Sequence, residues 1–122
     1  MAHRIFLVED HPFVREMQAR LIDLQPGLSM CGTAATAEEA LEALPAADAD
    51  LVLLDLSLDG DSGLDLLATL RERWPTLPCL VLSGQPAIER EAEARAAGAV
   101  GYVEKGDALS LLEAIHAALE PS

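Results

Sequence analysis

The chain has 122 residues and a mass of 13.0 kDa, enough for one domain that buries about two-thirds of its unfolded surface without disulfides or a structural metal. Apolar residues make up 51% and the mean hydropathy is +0.23, which excludes wholesale disorder; 21 acidic against 8 basic residues give a formal charge of −13, which opposes non-specific binding to nucleic acid or anionic membranes. No run approaches the roughly 20 apolar residues of a membrane helix, and the apolar start is too short for a secretory leader.

In chain order, short apolar runs alternate with stretches of helical period. After Ile5–Val8 comes Pro12 at a first helical turn, with Val14, Met17, Leu21 and Leu24 as its apolar face and Pro26-Gly27 as its stop. After Leu28–Cys31, Thr36-Ala37-Glu38-Glu39 has the spacing of a capping box and opens a short helix expected to end near Pro45. After Leu51–Leu54, Ser62 or Gly63 opens a helix through Leu66, Leu67 and Leu70 that ends before Pro75. After Cys79–Leu82, Pro86 opens an Ala-rich, highly charged helix that ends at Gly98. After Val100–Val103, Asp107 caps a last helix with Ala108, Leu112, Ile115 and Leu119 as one stripe. The first, third and fourth runs are apolar throughout, as strands buried on both faces are.

Five β-α units in alternation predict an α/β fold: a doubly wound, three-layer sandwich of one parallel sheet with helices on both faces. A Leu- and Ala-rich chain with four aromatics (Phe6, Phe13, Trp74, Tyr102) fits helices packed on a sheet better than an all-β sandwich. Cys31 and Cys79 stand apart in apolar surroundings and read as two buried thiols of a cytosolic protein.

In such folds the chemistry collects beyond the carboxyl ends of the strands. There the sequence places Glu9 and Asp10, Asp55, Ser83-Gly84, and Glu104-Lys105. Carboxylates converging on one rim repel, by about 3 kcal/mol for a pair ~5 Å apart at an effective dielectric of 20, so they raise a pKa or recruit a cation. Oxygen-only donors favour Mg²⁺. Lys105 is the only lysine, and its compact charge suits a phosphoryl group or a carboxylate. His11 reads as a first-turn residue rather than a ligand, and His3 and His116 have no clustered partner.

With these residues in place, the chain resembles the receiver domain of bacterial two-component response regulators along its whole length, so that residues 1–122 are one receiver domain with no output domain. Val8-Glu9-Asp10-His11-Pro12-Phe13-Val14-Arg15 and Gly101-Tyr102-Val103-Glu104-Lys105-Gly106-Asp107 are most similar to receivers that precede helix-turn-helix output domains of the nitrate-response and quorum-sensing-regulator type. The resemblance implies a flavodoxin-like (βα)5 fold with strand order 2-1-3-4-5. It implies that Asp55 accepts a phosphoryl group from a sensor histidine kinase, a phosphotransfer protein or a small phosphodonor. Glu9, Asp10, Asp55 and the backbone carbonyl of Ser57 would hold Mg²⁺. Lys105 and the Ser83 hydroxyl would meet the transferred oxygens, and Ser57 and Gln85 would flank the site. It further implies a switch in which Ser83 moves toward the phosphoryl group and Tyr102 swings inward. The readout would be the face formed by the fourth helix, fifth strand and fifth helix, with homodimerisation among its outcomes. Such a chain is cytoplasmic, binds neither nucleic acid nor membrane directly, and is no enzyme beyond its own phosphorylation and dephosphorylation.

Two departures stand out. Asp59 occupies a position where receivers commonly have proline, in a loop with two added acids, Asp59 and Asp61. Gly106 follows the lysine where most receivers have proline. Rival readings fare worse. A haloacid-dehalogenase-like phosphatase would want a second aspartate where Ser57 stands. No GxGxxG or GxxxxGK[ST] follows a strand. A calcium loop from Asp59 lacks the acid at its twelfth position, which is Leu70. The remaining alternative is a receiver-like protein-interaction module that is never phosphorylated.

Overall fold

The computed structural model describes residues 2–56, 63–84, 87–106 and 108–120. Ten elements alternate strictly: β1 (His3–Val8), α1 (Pro12–Asp23), β2 (Leu28–Ala34), α2 (Ala37–Ala47), β3 (Leu51–Asp55), α3 (Gly63–Arg73), β4 (Cys79–Ser83), α4 (Ala87–Ala96), β5 (Gly101–Glu104) and α5 (Ala108–Leu119). The strands form one parallel sheet in the order β2-β1-β3-β4-β5, the order the resemblance implies. No helix among the described residues is long and apolar enough to cross a membrane.

Side-chain alternation divides the core. Ile5 and Leu7, Leu51 and Leu53, and Leu80 and Leu82 pack on one face against Ile22 of α1 and Leu111 and Ile115 of α5. Phe6 and Val8, Val52 and Leu54, and Cys79 and Val81 pack on the other face against α2, α3 and Ala94 of α4. The continuous apolar runs thus serve two layers at once.

Two helical faces differ from the expectation. In α1 the buried residue is Ile22, with Val14, Gln18 and Leu21 half-buried, whereas Met17 and Leu24 are exposed. The i, i+4, i+8 face of Val14, Gln18 and Ile22 meets the sheet, and the predicted stripe lies at its edge. In α5 the expected Ile115 is buried and Leu112 and Leu119 pack half-buried on the core, but Leu111 joins them and Ala108 is exposed.

Local signals hold elsewhere. Thr36 caps α2, its Oγ1 accepting from the Glu39 amide at 3.1 Å, while the Glu39 carboxylate reaches back to the Ala35 amide rather than to Thr36. That helix passes Pro45 and ends at Ala47, because an exposed proline in the last turn forfeits only one backbone bond. The Arg4 guanidinium donates to the carbonyls of Ala47 and Asp48 and so closes the helix's C-terminus. Cys79 is buried, but Cys31 is only half so: it is the extra residue of a bulge in the edge strand β2, where Ile5 pairs with Met30 and Phe6 with Gly32.

The start of α3 bears on the rim. A Cβ at Gly63 would stand 2.7 Å from both the Cα and the carbonyl oxygen of Leu56, the residue after Asp55. Those are backbone atoms and cannot yield cheaply. Gly63→Ala is expected to cost about 1–3 kcal/mol, read as a lower urea midpoint at unchanged slope. An unchanged midpoint would show that α3 is not seated against the end of β3.

Candidate functional site

The alternation that builds the core also builds the site. Two residues beyond Leu7 stands Glu9, two beyond Leu53 stands Asp55, and two beyond Val103 stands Lys105. All three therefore leave the sheet on the α1/α5 side at its carboxyl edge. Lys105 Nζ donates to Glu9 Oε1 at 3.0 Å and to Asp55 Oδ2 at 2.9 Å. The Glu9 and Asp55 side chains are 1% and 2% exposed, that of Lys105 29%. Asp10 completes the group: Glu9, Asp10 and Asp55 each present a carboxylate oxygen, and these lie within 4.8 Å of one another.

This crowding sets the electrostatics. At 4.8 Å two carboxylates repel by about 3 kcal/mol at an effective dielectric of 20. Burial, and the hydrogen bond and charge of Asp55, push the Glu9 carboxyl up to about 7, with Lys105 pulling the other way. Burial alone would lower Lys105, but its bonds to Asp55 and Glu9 outweigh that and raise its pKa, so the ammonium stays charged. The donor set is oxygen-only and rich in negative charge, which fits a hard divalent cation. His11 is no competitor, because it is the N-cap of α1 and its Nδ1 accepts from the Val14 amide.

The other predicted residues are placed as follows. Ser83 ends β4, fully buried, and its carbonyl accepts from the Lys105 amide at 2.8 Å, which ties the ends of β4 and β5 together. Tyr102 is half-buried in β5, packed on the α2/α3/α4 side, in register with Val81. Ser83, two residues beyond Val81, alternates to that same side. Gly106 follows Lys105 with φ +119, a left-handed conformation closed to proline, so this turn differs in form from the Lys-Pro turn of most receivers. Ser57, Asp59, Gly60, Asp61, Ser62, Gln85, Pro86 and Asp107 lie outside the described residues.

Two features went unread in the sequence. Arg15 sends its guanidinium back to the backbone carbonyl of Glu9 at 2.9 Å. Its place four residues into a helix gives no such signal. Beside Lys105 a groove of about 390 Å³ runs between α1 and α5, lined by Phe13, Met17, Leu21, Val103 and Leu111 among others. Phe13 is 65% and Met17 55% exposed. Counted as core, Met17 could not be read as the wall of a surface groove.

Comparison with known proteins gives a consistent picture. The family model of the response regulator receiver domain matches residues 5–116. The chain is 38% identical over 102 residues to the DNA-binding transcriptional activator DevR/DosR of Mycobacterium tuberculosis, covering 84% of this chain and 47% of that protein. It is 36% identical over 115 residues to the nitrate/nitrite response regulator NarL of Escherichia coli, covering 93% of this chain and 53% of that protein. A LuxR-family two-component response regulator from Aurantimonas sp. matches in structure with a TM-score of 0.91, at 35% identity over 98% of this chain and 86% of that one. The chain spans about half the length of the curated relatives it matches.

The raised Glu9 carboxyl makes stability depend on pH. Between the unfolded value of 4.5 and the folded value of about 7, the folded state holds the proton more tightly. This group's contribution therefore falls as pH rises through that window, by on the order of 3 kcal/mol at most. In chelator-treated protein, urea unfolding at pH 5 and pH 8 is expected to show this loss in the parent and not in Glu9→Gln. Parallel profiles would contradict it.

Proposed function

Because the chain belongs to the response regulator receiver family, we propose that it takes a phosphoryl group onto Asp55 from a histidine kinase, a phosphotransfer protein or a small acyl phosphate. The observation that carries this reading is a nearly fully buried aspartate at a strand end, held by one ammonium and faced by two further carboxylates. Buried acids so arranged contribute little to stability and much to a reaction that moves negative charge.

In this reading an Asp55 oxygen attacks the donor's phosphorus. The bond from phosphorus to the donor's nitrogen or oxygen breaks, and its electron pair leaves with the donor group. Asp55 becomes an acyl phosphate, which water later cleaves to restore the carboxylate. Glu9, Asp10, Asp55 and the Ser57 carbonyl would hold Mg²⁺, whose charge offsets the repulsion between carboxylate and phosphoryl group. Lys105, already on Asp55 Oδ2, follows the charge onto the transferred oxygens, and the Ser83 hydroxyl donates to one of them.

The readout belongs to the α4-β5-α5 face. Among the described residues α4 buries only Ala94, and its Arg90–Glu93 and Arg95–Glu91 pairs are surface contacts worth a few tenths of a kcal/mol each. An element so lightly anchored can be shifted by a change at the rim. Ser83 and Tyr102 share a sheet face next to it, and a shift of both would carry the signal there. The groove between α1 and α5 opens beside Lys105 and so suits the protein that delivers the phosphoryl group. The kinase and the free phosphodonors place this chemistry in the cytoplasm. A transcriptional output, as in the relatives' names, would depend on chain beyond this receiver.

Incubation with acetyl phosphate and Mg²⁺ is expected to add the mass of one phosphoryl group, with none in chelator and none on Asp55→Asn. Phe13→Asp should label normally from acetyl phosphate and about ten-fold more slowly from a phosphorylated kinase, the effect of losing one apolar anchor. Labelling that survives Asp55→Asn would sink the acceptor assignment. No labelling of the parent would leave a receiver-like interaction module.

A further inference from the structure

The Glu9-Asp10 corner has to solve a backbone problem. The Glu9 amide is the last to bond β2, donating to the Ala34 carbonyl at 2.9 Å. Beyond it the chain leaves the sheet and turns into α1. Yet this is where the two carboxylates must be aimed at Asp55 against their mutual repulsion. A free loop would let them splay apart.

Arg15 closes this corner. Its Nη1 donates to the Glu9 carbonyl at 2.9 Å and lies 3.5 Å from that of Asp10, a partly buried arrangement. Its own amide donates to the His11 carbonyl at 2.9 Å as α1 begins. From the other side the His11 amide reaches Glu9 Oε2 at 3.3 Å, and the His11 ring caps α1. The corner is thus held at both ends by α1, and the guanidinium is the cation on its backbone, as Lys105 is on the Glu9 carboxylate. A guanidinium presents several donors in a planar fork and remains charged at all relevant pH; an ammonium is a point charge on a thinner stem.

We infer that Arg15 is a positioning residue for the acidic site: by holding the carbonyls of Glu9 and Asp10 it aims their carboxylates into the cluster with Asp55 and sets how tightly that cluster holds a divalent cation. This rests on the proposed cation-binding role of the cluster. Among the described residues the guanidinium bonds the backbone carbonyls and not the carboxylates, and so acts through the backbone. Partners that orient a metal's ligands commonly change affinity by ten- to a hundred-fold when removed.

The test compares Arg15→Ala, Arg15→Lys and Asp10→Ala with the parent by Mg²⁺ titration calorimetry, and by amide hydrogen exchange of the metal-free proteins. Arg15→Ala is expected to bind Mg²⁺ about ten-fold more weakly. Its Asp10 and His11 amides should exchange faster, with protection in the strands retained. Arg15→Lys, which keeps the charge and loses the fork, should recover less than half of the logarithmic loss. Parental affinity in Arg15→Ala would overturn the inference, as would full recovery in Arg15→Lys, which would make charge rather than position the cause. Asp10→Ala tests the underlying reading: if it binds Mg²⁺ as the parent does, the cation-binding role fails. The exchange data then judge Arg15 alone: unchanged exchange at Asp10 and His11 in Arg15→Ala would remove its hold on the corner, and faster exchange would support it.

Discussion

Three carboxylates share a space too small for their charge, with one ammonium to hold them. The parallel sheet makes this conflict unavoidable. It aligns the carboxyl ends of β1, β3 and β5 at one rim, and alternation sends Glu9, Asp55 and Lys105 to the same side. The molecule can relieve the repulsion by protonating Glu9, by keeping Lys105 in place, or by admitting a cation. A phosphoryl group on Asp55 would rewrite all three terms at once. The buried ion pairs are thus better read as a poised site than as a source of stability, since desolvating such groups cancels much of their attraction.

The rest of the chain divides into parts that fix this conflict and parts that can register its relief. On the fixing side are the two-faced core, Gly63 seated on the end of β3, the bond from the Lys105 amide to Ser83, and the Arg15 clamp. On the other side stands α4, which among its described residues buries only Ala94 and whose Arg90–Glu93 and Arg95–Glu91 pairs lie within the helix itself. A rigid rim next to a lightly held helix is what a charge switch requires, because the change must not dissipate where it is made. The α1/α5 groove lies on the opposite side of the sheet from α4. Input through that groove and output through α4 would then lie on opposite sides of the sheet, with α5 bordering both.

Much of this was legible in the sequence, for identifiable reasons. Apolar runs without alternation gave buried parallel strands, and the polar residues that end them gave Glu9, Asp10, Asp55, Ser83 and Lys105. What failed was the rotational phase of helices. The Val14–Leu24 stripe and the Ala108–Leu119 stripe were each set slightly off, because leucine, methionine and alanine suit either the core or its border. That error hid the exposure of Met17 and with it the groove. The bulge at Cys31 was invisible because it depends on how Phe6 lies over Gly32 from a strand distant in sequence. The role of Arg15 was hidden in the same way: a basic residue in an amphipathic helix looks like solvent-facing charge until its reach to the preceding loop is seen.

The most direct measurement of the central conflict is the number of protons released when Mg²⁺ binds. It is obtained by calorimetry at one pH in buffers of different ionisation enthalpy. With the Glu9 carboxyl raised to about 7, binding at pH 7 should release a measurable fraction of a proton, and binding at pH 9 almost none. A binding heat independent of buffer at both pH values would mean that the three carboxylates are already fully ionised together, and would contradict the account.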